Sequence, residues 1–260
     1  MFKFPIDLAK ARILISNDDG IYAPGIKVLE RIARGLTKDV WTVAPEQEQS
    51  GAGHSLTLRQ PLRMRRLSSR RFAVDGTPTD AVLLAINHLL KDQRPTLVLS
   101  GVNRGANMGE DVTYSGTIAA CMEATLLGVP AIAFSLAVPW NQKPHWATAE
   151  HFAPKIIAKL AKLGWPAGVL INVNFPDLPI EDVRGVELAR QGRRKIGDSL
   201  VPGTDPRGRP FWWIGDARTE KEVLPGTDLY AVRSGAIALT PIDLNLTDEP
   251  TLKRLGRAFK

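Results

Sequence analysis

The sequence predicts an α/β fold in which helices cover both faces of a mostly parallel sheet. Over the first two thirds of the chain, short apolar runs alternate with segments whose apolar residues recur at helical spacing, as they do in successive strand–helix units. The runs are almost continuously apolar, which is typical of parallel strands buried on both faces. A length of 260 residues, 44% of them hydrophobic and 23% charged, suits one large globular domain with a smaller appendage.

Each strand and helix of this core is predicted from a local signal. Apolar runs predict the strands Arg12–Ser16, Val40–Pro45, Thr96–Ser100, Ala131–Ser135 and Val169–Val173. Helices are expected after Pro24, after the Thr77 cap with Pro78 in the first turn, over Ile118–Leu127 and over Ala149–Leu163. In open sheets of this kind, ligands bind beyond the carboxyl ends of the strands, so the loops after the strands are the place to look for chemistry.

The last third of the chain changes character. Residues 192–228 are rich in Gly, Pro, Arg and Trp and indicate loops and a hairpin, residues 228–241 suggest a pair of strands, and residues 248–259 suggest a basic terminal helix. The organisation expected is a catalytic core over residues 1–190, followed by a hairpin and terminal helix over residues 191–260. Exposed apolar side chains around Phe211–Trp213 would need a partner surface, so oligomerisation is expected.

Composition excludes several classes of protein. No window approaches 18 uncharged apolar residues and the amino terminus does not resemble a signal peptide, so neither a membrane span nor secretion is expected. A single cysteine, Cys121, excludes an internal disulfide and a multi-thiolate zinc site, which favours a cytosolic location. The net charge of +7 is concentrated partly in residues 63–71 and 190–195, which are interpreted as solvated faces with some steering of anionic substrates.

Two adjacent acids follow the first strand, in the sequence Asn17-Asp18-Asp19-Gly20. Leaving both carboxylates ionised beside a sheet costs free energy unless a cation compensates them, and a hard divalent ion with oxygen ligands is the simplest cation. A solvated turn rich in Asn, Asp and Gly is the competing interpretation.

Three further segments offer oxygen ligands and an anion cradle. The second strand is followed by the small loop Ser50–Gly53, and the third by a glycine-rich segment in which Asn103 can offer a neutral oxygen to a metal and Asn107 can donate to a phosphate. Ser115, Gly116 and Thr117 begin a helix whose free N–H groups attract anions, although plain N-capping explains the same residues. Together these loops indicate metal-assisted chemistry on a phosphate ester.

Motifs of other phosphate-handling enzymes do not fit. The haloacid-dehalogenase pattern needs acids two residues apart, and neither a G-x-x-x-x-G-K-[ST] nor a G-x-G-x-x-G sequence occurs.

The ordered set of motifs resembles the SurE family of 5′/3′-nucleotidases. The motifs are Asn17–Gly20, Ala44-Pro45 with Ser50-Gly51, Gly76–Asp80, Ser100–Asn107, Tyr114–Thr117, Asn172–Pro176, Asp205–Gly208 and Pro225–Asp228. The resemblance covers nearly the whole chain except the first ten residues and the basic tail. It implies a Rossmann-like α/β sandwich, a divalent metal held by Asp18, Asp19, Ser50 and Asn103, and dimers or tetramers formed through an extended C-terminal hairpin or swapped segment.

The activity implied is hydrolysis of nucleoside 5′- and 3′-monophosphates, with short polyphosphate as a further substrate. One Mg²⁺ or Mn²⁺ per subunit would polarise the phosphoryl group, with Asp18, Asp19 and Asn17 in the catalytic group. Asn107 and the Ser115–Thr117 helix start would hold the phosphate. Neither a membrane nor a stable nucleic-acid partner is expected. Two alternatives stay open, a metal-dependent phosphatase of another small phosphomonoester and a noncatalytic nucleotide- or RNA-binding module.

Overall fold

A nine-stranded sheet forms the centre of the protein, with its strands in the order β3-β4-β2-β1-β5-β6-β7-β13-β8. The computed structural model describes residues 2–139, 141–196, 199–215 and 218–259, with backbone only for residues 195, 196 and 218–222. The strands are Arg12–Ser16 (β1), Asp39–Pro45 (β2), Met64–Ser68 (β3), Arg71–Val74 (β4), Leu97–Arg104 (β5), Ala131–Ala137 (β6), Val169–Pro176 (β7), Val186–Leu188 (β8), Arg193–Ile196 (β9), Leu200–Thr204 (β10), Pro210–Ile214 (β11), Arg218–Glu222 (β12) and Ile237–Asp243 (β13).

Helices cover both faces of this sheet. The helices are Pro24–Arg34 (α1), Pro78–Leu84 (α2), Gly116–Leu126 (α3), Trp146–Leu163 (α4), Asp228–Arg233 (α5) and Glu249–Ala258 (α6), of which α6 buries no residue. Helix α2 continues as a π-helical turn over Ala85–Leu89, and short 3-10 turns occupy Leu8–Lys10, Gly109–Thr113 and Ile180–Asp182. One core packs α1 and α4 against one face of the sheet, and a second core packs α2 and α3 against the other. The predicted α/β layering is therefore confirmed.

The central strands run parallel, so their carboxyl ends meet at one edge. β1 pairs with β2 on one side and with β5 on the other, and β6 and β7 continue the sheet beyond β5. Strands β2 to β4 extend the sheet on one side of β1, and strands β5 to β7 extend it on the other side. The loop after β1 therefore lies at the topological switch point, where open sheets of this kind bind ligands. Antiparallel pairing is found between β3 and β4 and between β7 and β13.

The prediction of a strand pair over residues 228–241 is wrong in its first half. Asp228–Arg233 is a helix, because the Thr227 side chain accepts a hydrogen bond from the Tyr230 amide and caps it. Only the second half is a strand, and β13 inserts into the central sheet between β7 and β8. Part of segment 191–260 thus belongs to the central sheet of the core.

The arginine-rich stretch at residues 63–71 forms the edge hairpin β3–β4, which the sequence pattern did not indicate. Its cations pair with acids of the same chain: Arg63 with Asp75 at 3.6 Å, Arg65 with Glu46, Arg70 with Asp39 at 3.3 Å and Arg71 with Glu30 at 3.3 Å. Charged side chains on an edge strand also discourage pairing with other chains. Among the residues described, no helix combines the length and hydropathy needed to cross a bilayer.

Candidate active site

The loop after β1 is tied to the loop after β2 by backbone hydrogen bonds. The amide of Gln49 donates to the carbonyl of Asp18 at 2.8 Å, and the amide of Ile21 donates to the carbonyl of Pro45 at 2.8 Å. Gly20, between them, adopts a φ of +95°, a conformation that glycine reaches without strain. These contacts bring the segment that carries Ser50 alongside the two aspartates.

Asp18 is buried against the first turn of α3. Its Oδ1 accepts a hydrogen bond from the Thr117 hydroxyl, and a Cβ atom on Gly116 would lie 2.6 Å from the Asp18 Cβ. Glycine at position 116 therefore allows the helix to approach the carboxylate. Burial raises the pKa of Asp18, and the hydrogen bonds from Thr117 and Gly116 oppose that rise.

Asp19 is less buried and faces the end of β5. Its Oδ2 accepts a hydrogen bond from the Arg104 amide at 3.4 Å. Burial raises the pKa of Asp19 to about 7, and the negative charges of Asp18 and then Glu48 contribute to the rise. An ionised Asp18–Asp19 pair is therefore unfavourable in the protein alone, and a bound cation would relieve the repulsion.

Ser50 lies in the loop after β2, and Asn103 lies near the end of β5, beside the segments that contact these aspartates. The Ser50 hydroxyl donates to Glu48 Oε1 at 2.9 Å, which leaves its oxygen lone pairs for another partner. Asn103 donates through Nδ2 to the Gly105 carbonyl at 2.9 Å, and no described residue donates to its Oδ1. Two carboxylates, a hydroxyl and an amide oxygen form the kind of hard donor set that Mg²⁺ and Mn²⁺ prefer.

Asn17 is fully buried at the end of β1. It donates through Nδ2 to the Gly20 carbonyl at 3.0 Å, while its Oδ1 has no hydrogen-bond partner among the described residues. Asn17 therefore shapes the turn that carries the two aspartates, and its catalytic role stays a prediction.

The residues predicted to bind phosphate are already engaged with neighbouring groups. Ser115 accepts a hydrogen bond from the Ile118 amide at 3.1 Å and caps α3, and Thr117 donates to Asp18. Asn107 donates from Nδ2 to Ser135 at 2.8 Å, which leaves that nitrogen one further hydrogen. Phosphate binding by Asn107, Ser115, Gly116 and Thr117 stays a prediction.

A buried polar network fixes the backbone of the loop after β5. Asn172 and Asn174, on β7, both donate to the Asn107 carbonyl, at 2.8 and 3.0 Å, and Asn174 Oδ1 accepts from the Asn107 amide at 2.9 Å. Two residues further on, the Gly109 amide donates to the buried Asp228 at 2.9 Å. This loop is therefore held from the core and from the C-terminal segment.

Within the residues that the structure describes, no three His, Cys, Asp or Glu side chains cluster as they would around a metal. The site contains two carboxylates with neutral oxygen donors beside them, so only two of its four donors are of those residue types. Its donor chemistry nevertheless fits one hard divalent cation.

The model of the family described as "Survival protein SurE" matches residues 13–198, which include Asp18, Asp19, Ser50 and Asn103. The chain belongs to the SurE family. A protein of Paramagnetospirillum magneticum named 5′-nucleotidase SurE is 60% identical over 253 residues, covering 97% of each chain. A protein of the same name from Rhodospirillum rubrum is 54% identical and covers both chains fully.

The crystal structure of the SurE protein from Aquifex aeolicus has the same fold. It superposes with a TM-score of 0.83 at 38% identity and covers 95% of this chain and 99% of its own. The family resemblance and the fold class inferred from the motifs are therefore confirmed.

Sequence reasoning missed several residues that shape this SurE site. Glu48 orients Ser50, Arg104 contacts Asp19 through its backbone, and Asn172 and Asn174 fix the Asn107 backbone. Asn172 and Asn174 stood within a recognised motif, and a signal for their role was present in the sequence. Two asparagines in an otherwise apolar strand are expected to be buried, and buried amides need hydrogen-bond partners. Arg104 likewise stood within the recognised motif Ser100–Asn107, whereas Glu48 carried no signal beyond its position close to Ser50.

Proposed function

We propose that the protein is a metal-dependent phosphomonoesterase that hydrolyses nucleoside monophosphates to nucleoside and phosphate. The observation that carries the proposal is the adjacent pair at the switch point of the sheet, the buried Asp18 and the half-buried Asp19, with Ser50 in the loop after β2 and Asn103 near the end of β5. The name 5′-nucleotidase borne by relatives at 60% and 54% identity supports the same activity.

Asp18, Asp19, Ser50 and Asn103 would hold one Mg²⁺ or Mn²⁺. When bound, such an ion supplies a Lewis acid for the phosphoryl oxygens and lowers the pKa of a coordinated water. Thr117 orients Asp18 through its hydroxyl, and Glu48 orients Ser50.

The remaining chemistry belongs to protein groups around the phosphate. Asp19, the more exposed of the two aspartates, is the carboxylate that would orient the attacking water or accept its proton. The second hydrogen of Asn107 Nδ2 and the N-terminal end of α3 would stabilise charge on the phosphate oxygens.

The two other candidate functions differ in their support. The edge hairpin pairs Arg63, Arg65, Arg70 and Arg71 with acids of the same chain, which weakens the case for an RNA-binding module. A phosphatase of another small phosphomonoester shares the metal and phosphate groups, and rates on a panel of nucleotides and sugar phosphates distinguish it.

The test of the proposed function is release of phosphate from nucleoside monophosphates with and without Mg²⁺ or Mn²⁺. Asp18→Asn keeps an oxygen that accepts from Thr117, so the fold should survive, while the rate should fall about 100-fold or more, as when one group that stabilises transition-state charge is lost. Asp92→Asn, an exposed change in the loop before β5 at the opposite edge of the sheet, is the matched control. A wild-type rate in Asp18→Asn, or a rate unaffected by thorough chelation, contradicts the proposal.

We also propose that the chain assembles into dimers or tetramers through the hairpin β10–β11. Its side chains Leu200, Val201, Phe211, Trp212, Trp213 and Ile214 are between 38% and 74% exposed. Exposed apolar side chains at this density on one hairpin are typical of a protein interface.

A further inference from the structure

A histidine–glutamate pair connects helix α3 to the Ser50 loop, which spans residues 46–63 between β2 and β3. The structure describes every residue of this loop, and none of them is in a helix or strand. We infer that the contact between His54 and Glu123 holds the Ser50 loop on α3 and thereby keeps Ser50 beside the aspartates. His54 and Glu123 are then positioning residues for the metal site, and the inference rests on the proposed metal-dependent function.

Glu123 is the only charged residue of α3, and its side chain is 10% exposed. His54 Nε2 lies 3.0 Å from Glu123 Oε2, and the ring nitrogen is the donor because an ionised carboxylate can only accept. Over the part of the chain that the structure describes, no other group forms a hydrogen bond or ion pair with this carboxylate. Burying a carboxylate is costly unless it is paired, so Glu123 constrains where His54 lies.

The same helix also contacts the aspartate loop. Thr117, in its first turn, donates to Asp18, and Glu123 follows six residues later, about 9 Å further along the helix axis. Helix α3 is itself fixed, because its buried face packs in the core that contains α2. One rigid element therefore contacts both sides of the candidate metal site and sets the distance between the two loops.

The backbone next to His54 lies close to the start of α3 as well. The Gly53 amide donates to the Tyr114 carbonyl at 3.1 Å. Gly53 has a φ of +56°, and a Cβ atom at this position would lie 3.3 Å from the Thr113 carbonyl oxygen. The Ser50 loop thus meets α3 at two successive residues, through the main chain of Gly53 and the side chain of His54.

Ser50 lies between two anchors and has few contacts of its own. Upstream of it, the Gln49 amide donates to the Asp18 carbonyl at 2.8 Å. Ser50 and Gly51 are exposed, and a Cβ atom at Gly51 would have no neighbour within 4 Å. Because glycine leaves the backbone free to adopt many conformations, the position of Ser50 depends on the anchors on either side. The contacts at residues 53 and 54 are the downstream anchor.

The remainder of the Ser50 loop is held on α2 without His54. Thr57 donates to Asp80 from its amide at 3.1 Å and from its hydroxyl at 2.6 Å. The Thr77 hydroxyl donates to the Ser55 carbonyl at 2.8 Å. Loss of the His54 contact should therefore displace Ser50 without detaching the whole loop or unfolding the protein.

His54→Ala tests the inference through direct binding of Mn²⁺, measured by calorimetry without substrate. We expect the Kd for Mn²⁺ to rise about 10-fold, as when a group that orients a metal ligand is lost. His54→Gln keeps an N–H donor for Glu123, so it should bind Mn²⁺ nearly as tightly as the wild type. His88→Ala, which removes an exposed histidine from the π-helical turn after α2, is the matched control and should leave the Kd unchanged.

Ser50→Ala shows whether His54 acts through Ser50. This variant should weaken Mn²⁺ binding, and adding His54→Ala to it should cause little further loss, because the ligand that His54 positions is already absent. Glu123→Ala removes the other member of the pair without leaving a buried charge unpaired. It should weaken Mn²⁺ binding by a similar factor, and it tests the inference if His54→Ala does not fold.

Unchanged Mn²⁺ affinity in a folded His54→Ala or Glu123→Ala protein overturns the inference, even if stability in chelator falls, because the pair is then purely structural. Losses that add to that of Ser50→Ala, or a His54→Gln protein that binds no better than His54→Ala, overturn it as well. Mn²⁺-dependent phosphate release with equal Kd values in all variants contradicts the inference alone. Mn²⁺ binding with the expected dependence on His54, but without phosphate release from any nucleotide, contradicts the catalytic proposal alone.

Discussion

Asp18 and Asp19 are neighbours in sequence but have different partners in the structure. Asp18 turns inward to the Thr117 hydroxyl, whereas Asp19 contacts the Arg104 amide beside a cavity of about 600 Å³. This division separates a positioned, buried carboxylate from one that can reach solvent and substrate. Both pKa values are raised above their ordinary range, first of all because burial disfavours the charged form.

The raised pKa of Asp19 predicts how the metal-free protein responds to pH. With a folded-state pKa of about 7 and an ordinary carboxyl pKa of 3.8 for Asp19, the native protein binds more protons than the unfolded chain between these two values. The free energy of unfolding should therefore fall as pH rises through this window, by at most about 1.4 kcal/mol per pH unit from this group.

Urea denaturation in chelator between about pH 5 and pH 7.5 measures this slope, and Asp19→Asn should flatten it because the group no longer titrates. Added Mn²⁺ should raise the stability of the wild type most at the upper end of the range, where ionised carboxylates bind metal best. If the free energy of unfolding depends on pH equally in the wild type and in Asp19→Asn, Asp19 is not the group whose raised pKa causes the slope.

At the scale of elements, buried polar residues hold the site loops where the glycine-rich sequence would otherwise leave them free. Asp228, at the start of α5, accepts from the amides of Gly109, Gly192 and Leu229 at 2.9, 2.8 and 2.8 Å. One carboxylate thus joins the loop after β5, the segment before β9 and the start of α5.

Asp228→Ala should destabilise the protein by about 3 kcal/mol or more, because three buried amides lose their acceptor and each unsatisfied donor costs about 1–3 kcal/mol. Urea denaturation measures the loss, and hydrogen exchange should show faster exchange at Gly109 than in the wild type. Asp182→Asn, on an exposed 3-10 turn, serves as the control. Unchanged exchange at Gly109 would show that the loop is held by other contacts.

At the scale of the molecule, the C-terminal part of the chain contributes one strand to the central sheet and also forms an exposed hairpin. β13 completes the central sheet, while the hairpin β10–β11 exposes Trp212 and Trp213 at 61% and 69%. The terminal helix α6 has no buried residue. Apolar surface on this scale in one hairpin is the feature on which the proposed assembly depends.

Replacing Trp212 and Trp213 together with Ser should shift the protein toward smaller species, because the change removes aromatic surface that the assembly would bury. Sedimentation velocity measures the shift, and the backbone signal in far-ultraviolet circular dichroism should be nearly unchanged because the hairpin lies outside the central sheet. Leu163→Ser, an 80% exposed site at the end of α4, is the control. An oligomeric state that persists in the double variant excludes this hairpin as the main interface.

The sequence by itself determined the features that arise within a short stretch of chain. Apolar runs and helical periodicity predicted β1, β2 and α1, and Thr77 with Pro78 predicted the start of α2, since strand burial and helix capping depend on neighbouring residues. The adjacent acids and the neutral oxygen donors could also be identified as candidate metal ligands, because the ability of a side chain to donate an oxygen depends only on its residue type.

Only the tertiary structure decided which groups meet across long separations. The Thr117–Asp18 contact spans 99 residues and the Gly109–Asp228 contact spans 119, and neither is encoded in a local pattern. The alternating residues after Asp228 fitted a strand as well as a helix until the Thr227 cap and packing against the sheet selected the helix. The cavity beside Asp19 likewise exists only because α1, the end of β5 and the start of α4 converge there, and α1 and α4 are held together by packing in the same core.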